Sequence, residues 1–138
     1  MKFLQSYSGR ILFPALIVIG ASTVLALLLN LIKASDGYDL VLEHVKTDKK
    51  VQEVLGDEIR PGWYAAGQMR DGGKHPEGFG LIEFPVKGSK NSGTVYAEVM
   101  KANHKWEVLF LSVKPKDGEL ISLVENPLST KYWQPRLQ

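Results

Sequence analysis

The uncharged stretch from Ile11 to Ile32 constrains most strongly what this chain can fold into. It lies between Arg10 and Lys33 and contains no charged side chain. An α-helix of that length reaches about 33 Å at about 1.5 Å per residue, which matches the hydrocarbon core of a bilayer. Because the stretch lacks the polar face of a soluble core helix, it predicts a single transmembrane helix over residues 11–32.

The alternative for this stretch is a cleaved signal peptide, whose apolar region is about 7–15 residues long and ends in a small-x-small site. Here the apolar run is longer, and Lys33 interrupts the small pair that follows it, Ala34-Ser35. The pattern therefore favours an uncleaved membrane anchor.

The basic residues near this helix predict its orientation. Lys2, Arg10 and the terminal amine precede it, whereas Lys33 and Lys46 are the only basic residues in the next 15 or so positions. Because cytoplasmic ends carry the excess of Lys and Arg, residues 1–10 are expected on the cytoplasmic or matrix side. The chain is then a single-pass protein of the inner (cytoplasmic) membrane, with its domain in the periplasm or the mitochondrial intermembrane space.

The charge of the remaining chain argues against a nucleic-acid partner. Of 17 Lys and Arg, three flank the helix, so 14 lie beyond Ala34 together with all 15 Asp and Glu, which leaves 14 − 15 = −1. A nucleic-acid binder needs a basic face or stripe. The chain has no cysteine, and its absence does not distinguish one compartment from another.

The periodicity beyond the membrane helix predicts an α+β domain over residues 33–125. Helices are expected from an N-cap at Asp36 and from a second cap at Asp48, the latter ending at Gly56. Five strands are expected at about Gly62–Arg70, Gly78–Val86, Thr94–Lys101, Lys105–Lys114 and Leu120–Glu125. The loops between them are too short for a crossover helix, which predicts two short helices packed on a roughly five-stranded antiparallel meander.

The large aromatic residues and the strand alternation predict which surfaces are covered. Trp63 and Trp106 are expected to be buried between sheet and helices, and the face of the third strand that carries Glu98 is expected to be wet. The extended tail, residues 126–138, carries Tyr132 and Trp133, which need either the domain's own sheet or a partner to cover them. Both possibilities stay open, and these two aromatics are candidate partner-binding residues.

The membrane helix offers a second candidate partner-binding face. Ser22, Ala26 and Asn30 recur at i, i+4 and i+8 with Thr23 beside them. Small residues let helix backbones approach closely in lipid, and polar side chains can bond across helices. Alternatively, the hydroxyls bond their own backbone and Asn30 sits at the headgroup boundary.

Catalytic, cofactor and metal sites are not predicted. The single histidines His44, His75 and His104 are not spaced as metal ligands, and no cysteine supports a zinc or copper site. The glycine-framed loop Gly88–Gly93 leads into a strand, whereas a phosphate loop leads into a helix. The loop is therefore predicted to be a hairpin turn with solvated lysines.

Several short runs resemble the cytochrome c oxidase assembly protein 1 family. They are Val54–Trp63, then Val86–Gly88 followed by Gly93–Glu98, and Trp106 with Leu111 five residues later. The single amino-terminal membrane helix is also similar. The resemblance implies a fold related to subunit 21 of the mitochondrial inner-membrane translocase, a domain on the outer side of that membrane, and a part in maturation of the terminal oxidase. It implies no catalytic residues.

These observations predict a membrane-anchored, non-enzymatic interaction protein. It would be an assembly factor or accessory subunit of a respiratory complex, foremost cytochrome c oxidase, whose membrane subunits would be its partners, with no small-molecule substrate. The alternatives are a membrane-tethered ligand- or copper-binding domain, or a protein associated with another respiratory complex or a protein translocase.

Overall fold

The chain folds as three helices and a six-stranded antiparallel sheet within the residues that the structure describes. A computed structural model describes residues 2–33, 35–70 and 75–138, and in the first helix it describes the side chains of residues 12–28, 32 and 33. The helices are α1 Lys2–Lys33, α2 Asp36–Thr47 and α3 Lys49–Leu55. The strands are β1 Arg60–Pro61, β2 Ala66–Arg70, β3 Gly78–Lys87, β4 Ser92–Ala102, β5 Lys105–Pro115 and β6 Ile121–Glu125. The α+β class and the short helices packed on an antiparallel sheet are confirmed.

The sheet is the predicted meander with one change at its first strand. β3, β4, β5 and β6 follow one another, and both β1 and β2 pair with the free edge of β3. Of the strand predicted over 62–70, only Ala66–Arg70 is a strand, and the short strand β1 before it was not predicted. Pro61 lies opposite Val86 and Ala66 opposite Glu83, so the chain between Pro61 and Ala66 has more residues than its partner and loops out. The loop between the first two predicted strands includes residues 71–74, which lie outside the described residues.

The expectation that Trp63 is buried is wrong. Trp63 lies in the looped-out segment between β1 and β2 and is 79% exposed. Trp106 is half-buried and packs against the core. A Cβ added to Gly37 in α2 would lie 3.2 Å from the Trp106 ring, so the helix and the indole are in close contact.

Each of the two short helices has a side chain that caps its N-terminus. The N-cap of α2 is Ser35 and not Asp36 as predicted, because the Ser35 Oγ accepts the backbone N–H of Tyr38 at 3.1 Å. Asp48 caps α3 as predicted, accepting the N–H of Val51 at 3.1 Å. Gly56 then ends α3 with a positive φ of 94°, which glycine adopts without steric cost.

The main core lies between the two short helices and one face of the sheet. Its fully buried members from the helices are Val41, Val45, Val51 and Leu55, and those from the strands are Ile82, Phe84, Val95, Ala97, Val99, Leu111 and Val113. Tyr38 joins them, and its ring meets that of Phe84 edge to face with the ring centroids 4.9 Å apart. Burial raises the pKa of the Tyr38 hydroxyl above its usual value, and the neighbouring Asp39 adds to the effect.

The end of α1 is attached to the domain. Ile32 is buried in the main core, and the Lys33 Nζ donates a 2.6 Å hydrogen bond to the backbone oxygen of Gly62. Every side chain from 12 to 28 is exposed. The helical conformation expected for residues 11–32 is confirmed, but among the described residues no helix is long and apolar enough to cross a membrane.

Candidate interaction surfaces

The carboxy-terminal tail covers the sheet face opposite the helices. Trp133 is 6% exposed and forms a second apolar cluster with Leu81 of β3 and Phe110 of β5. Its indole Nε1 donates to the backbone oxygen of Ala97 at 2.9 Å. Tyr96 meets the indole edge to face at 5.1 Å. The tail therefore docks on the domain's own sheet, which was one of the two possibilities left open.

A buried carboxylate fastens the tail to the same face. Glu98 is fully buried, and its carboxylate accepts hydrogen bonds from the Ser129 Oγ at 2.7 Å and from the Thr130 N–H at 2.9 Å. A buried carboxylate without hydrogen-bond donors would destabilise the fold, and the tail supplies the donors that Glu98 requires. The expectation of a wet face at Glu98 is wrong because the tail excludes water there.

The tail leaves one aromatic residue partly available to a partner. Tyr132 is 38% exposed, with its ring 4.9 Å from that of Trp133 and 4.0 Å from the Arg136 guanidinium. The Trp133 ring faces the sheet, so a partner of the docked tail would meet Tyr132 and Arg136 first. A partner-binding role for Tyr132 and Trp133 remains a prediction.

The predicted partner face of α1 is exposed, and its hydroxyl groups already donate hydrogen bonds to the helix backbone. The Ser22 Oγ donates to the Val18 oxygen and the Thr23 Oγ1 to the Ile19 oxygen, each at 2.8 Å. Both residues and Ala26 are exposed. The side chain of Asn30 lies outside the described residues. Contact of this face with a partner helix remains a prediction.

A basic cleft at one end of the sheet was not foreseen from the sequence. It encloses about 850 Å³ between β1, the β3–β4 hairpin and the end of β5. Its cationic residues are Arg60, Lys87, Lys114 and Lys116, and its one acidic residue is Glu58. No local motif indicates it, because the four cations come from separate parts of the chain and the chain beyond Ala34 carries a net charge of −1.

Two features of the cleft define its walls and its charge. Pro61, Pro85 and Pro115 give it apolar walls. Glu58 and Arg60 approach to 4.0 Å with both side chains largely exposed, so this pair is weak and leaves the cleft positive.

The described residues hold no group of three or more potential metal-ligating side chains. The ring of His75 contacts the backbone of Glu77 at 2.9 Å, in an exposed turn. The surfaces described above offer contacts for binding.

Together, the fold and its surfaces define an α+β domain fastened to an exposed apolar helix. The sequence model of the family described as cytochrome oxidase complex assembly protein 1 matches residues 10–125. The chain belongs to this family, as its resemblance predicted. No curated protein and no solved structure matches the chain. The family match ends where β6 ends, so the docked tail lies beyond it.

Proposed function

We propose that this chain is a membrane-anchored, non-enzymatic assembly factor or accessory subunit of cytochrome c oxidase in an inner membrane. The observation that carries the proposal is the family match over residues 10–125, which takes in both the apolar stretch and the whole α+β domain. Membership of this family implies a role in assembly of the oxidase. The anchoring, the orientation and the partner subunits are the further steps of the proposal.

The exposed surface of α1 supports anchoring. Its side chains from 12 to 28 are exposed and none is charged, and its apolar residues include Phe13, Ile17 and Leu25 at 58–70% exposure. A continuous apolar surface of this kind is unfavourable in water and favourable in lipid. The proposed span covers residues 11–32 and ends at Ile32, where the chain enters the core of the domain.

The orientation predicts which side of the membrane Lys90 occupies. The chain has no cysteine, and Lys90 is an exposed residue of the β3–β4 hairpin. Lys90→Cys should therefore be labelled by an impermeant maleimide in intact cells or mitoplasts. Ser6→Cys, on the other side of the proposed span, should be labelled only after permeabilisation. The opposite pattern would refute the orientation.

The face of α1 formed by Ser22 and Ala26 is proposed to pack against a membrane helix of the oxidase. Replacing both with leucine keeps the segment apolar but separates the two backbones. Overpacking a close contact costs about 1–3 kcal/mol, so the double variant should lower recovery with the oxidase by at least about fivefold. The measurement is co-migration with the oxidase, or with its assembly intermediates, on a blue-native gel of detergent-solubilised membranes.

The matched control for this experiment is Ala21→Leu, because at 100° per residue Ala21 lies about 100° around the helix from Ser22 and about 140° from Ala26, outside the face that they form. It should co-migrate as the native chain does. If the Ser22→Leu, Ala26→Leu double variant also co-migrates normally, the helix is only an anchor and recognition belongs to the domain. Migration of the native chain solely with another respiratory complex would refute the proposed function.

A further inference from the structure

The basic cleft lies next to the end of α1. Gly62 lines the cleft, and its backbone oxygen accepts the 2.6 Å hydrogen bond from the Lys33 Nζ. The proposed span ends at Ile32, one position before Lys33, and one position is about 1.5 Å along the helix axis. The headgroup layer on each side of a bilayer is about 5–7 Å thick. If α1 is anchored as proposed, the cleft wall at Gly62 therefore lies in the headgroup layer.

An exposed tryptophan lies next to the cleft wall, at the same depth relative to the proposed membrane. Trp63 follows Gly62 directly and is 79% exposed, and its ring contact is with the neighbouring Tyr64 at 4.9 Å. Tryptophan and tyrosine are enriched where membrane meets water, because their rings are apolar and their N–H and O–H groups are polar. An indole that is this exposed contributes little to the core. Its place next to Gly62 is where a residue at the interface between membrane and water would lie.

The charge of the cleft selects an anionic ligand. Arg60, Lys87, Lys114 and Lys116 are all exposed side chains around it, against the single carboxylate of Glu58. The Lys114 Nζ also donates to the backbone oxygen of Gly118 at 3.4 Å, and no acidic side chain among the described residues is paired with it. Basic residues beside a membrane attract anionic lipids and are screened by salt.

We propose that this cleft, together with Trp63, binds the headgroups of anionic phospholipids and so orients the domain against the membrane. The inference rests on the proposed anchoring by α1. An acidic polypeptide would satisfy the same charges, but the hydrogen bond between Lys33 and Gly62 places the cleft beside the apolar helix, and the exposed indole lies there too. Position and charge together favour the lipid.

The test uses the full chain reconstituted into nanodiscs of phosphatidylcholine with a fraction of phosphatidylglycerol. Native mass spectrometry after release from the discs counts the lipids of each class that stay on the chain. The variant is Lys87→Gln with Lys114→Gln and Lys116→Gln. The charge-matched control is Lys46→Gln with Lys49→Gln and Lys50→Gln, three exposed lysines away from the cleft.

The native chain and the control should retain phosphatidylglycerol in preference to phosphatidylcholine. Each lysine near an anionic surface is worth about a fivefold change, so the cleft variant should lose on the order of 100-fold in this preference. Raising the salt from about 0.05 M to about 0.5 M should weaken retention by the native chain, because the Debye length becomes shorter as ionic strength rises and the charges attract each other less. Equal preference in the cleft variant and the control would overturn the proposal.

The two proposals fail in different ways. A chain that does not enter nanodiscs of phosphatidylcholine alone contradicts anchoring by α1, and with it the inference that depends on the anchor. A chain that enters them but shows no preference for phosphatidylglycerol contradicts the lipid site alone. If the cleft variant keeps its lipid preference but loses co-migration with the oxidase, the cleft binds an acidic polypeptide and the lipid assignment is wrong.

Discussion

Replacing Trp133 with alanine is expected to lower the free energy of unfolding by about 3–5 kcal/mol. The indole is buried against Leu81 and Phe110, and its Nε1 donates to the Ala97 backbone oxygen. Alanine would leave a cavity on that face and remove the indole donor to the Ala97 oxygen. Total stabilities are about 5–15 kcal/mol, so much of the domain should unfold at ordinary temperatures. Denaturant unfolding of the full chain in detergent, followed by circular dichroism, measures the change.

The matched control is Trp63→Ala, which removes the same side chain from an exposed position. Its effect on the free energy of unfolding should be within about 0.5 kcal/mol, as for other surface substitutions. The two tryptophans therefore have opposite expected outcomes for one chemical change. If Trp133→Ala lowers the free energy of unfolding as little as Trp63→Ala does, the tail does not hold Trp133 against the sheet as the structure shows.

Gly88→Ala is expected to destabilise the domain by about 3 kcal/mol, at the upper end of the range for overpacking. The β3–β4 hairpin docks on the end of α3: the N–H groups of Lys90 and Asn91 donate to the Leu55 oxygen at 2.8 and 3.1 Å. A Cβ at Gly88 would overlap that same carbonyl and lie 3.2 Å from the Leu55 Cβ. Because the obstacle is backbone, it yields only if the hairpin moves away from the helix.

The control for this prediction is Lys90→Ala, which keeps the backbone amide and changes only an exposed side chain of the same hairpin. It should unfold at the same denaturant concentration as the native chain. A midpoint for Gly88→Ala equal to that of Lys90→Ala would show that the hairpin tolerates a Cβ and does not depend on its contact with α3. Both variants are measured on the full chain in the same detergent.

The arrangement of the surfaces bears on how a partner could approach. The tail occupies the face of the sheet opposite α2 and α3, so a partner of the docked form meets Tyr132 and Arg136 and not the sheet itself. The basic cleft lies at one end of the sheet beside the end of α1. Lipid contact by the cleft and protein contact by α1 or the tail would therefore use different parts of the molecule.

Local patterns in the sequence were sufficient to predict the two short helices and the order of the last four strands. Asp48 and Gly56 bound α3 as expected, because side-chain capping and a positive φ are properties of a few adjacent residues. The short loop between β4 and β5 specified an antiparallel pair, because it is too short for a crossover helix. The family resemblance rested on the same local runs, and the match over residues 10–125 confirmed it.

What covers each surface depends on contacts between distant parts of the chain, which only the tertiary structure shows. Glu98 is dry because Ser129 and Thr130, about thirty positions later, donate to it, and alternation along the strand carries no information about that. Trp63 is exposed because the chain loops out between two strands that share one edge of β3. The basic cleft likewise joins β1, the hairpin and β5, which are distant in sequence. Such features depend on contacts between remote residues, whereas periodicity reports only on neighbours along the chain.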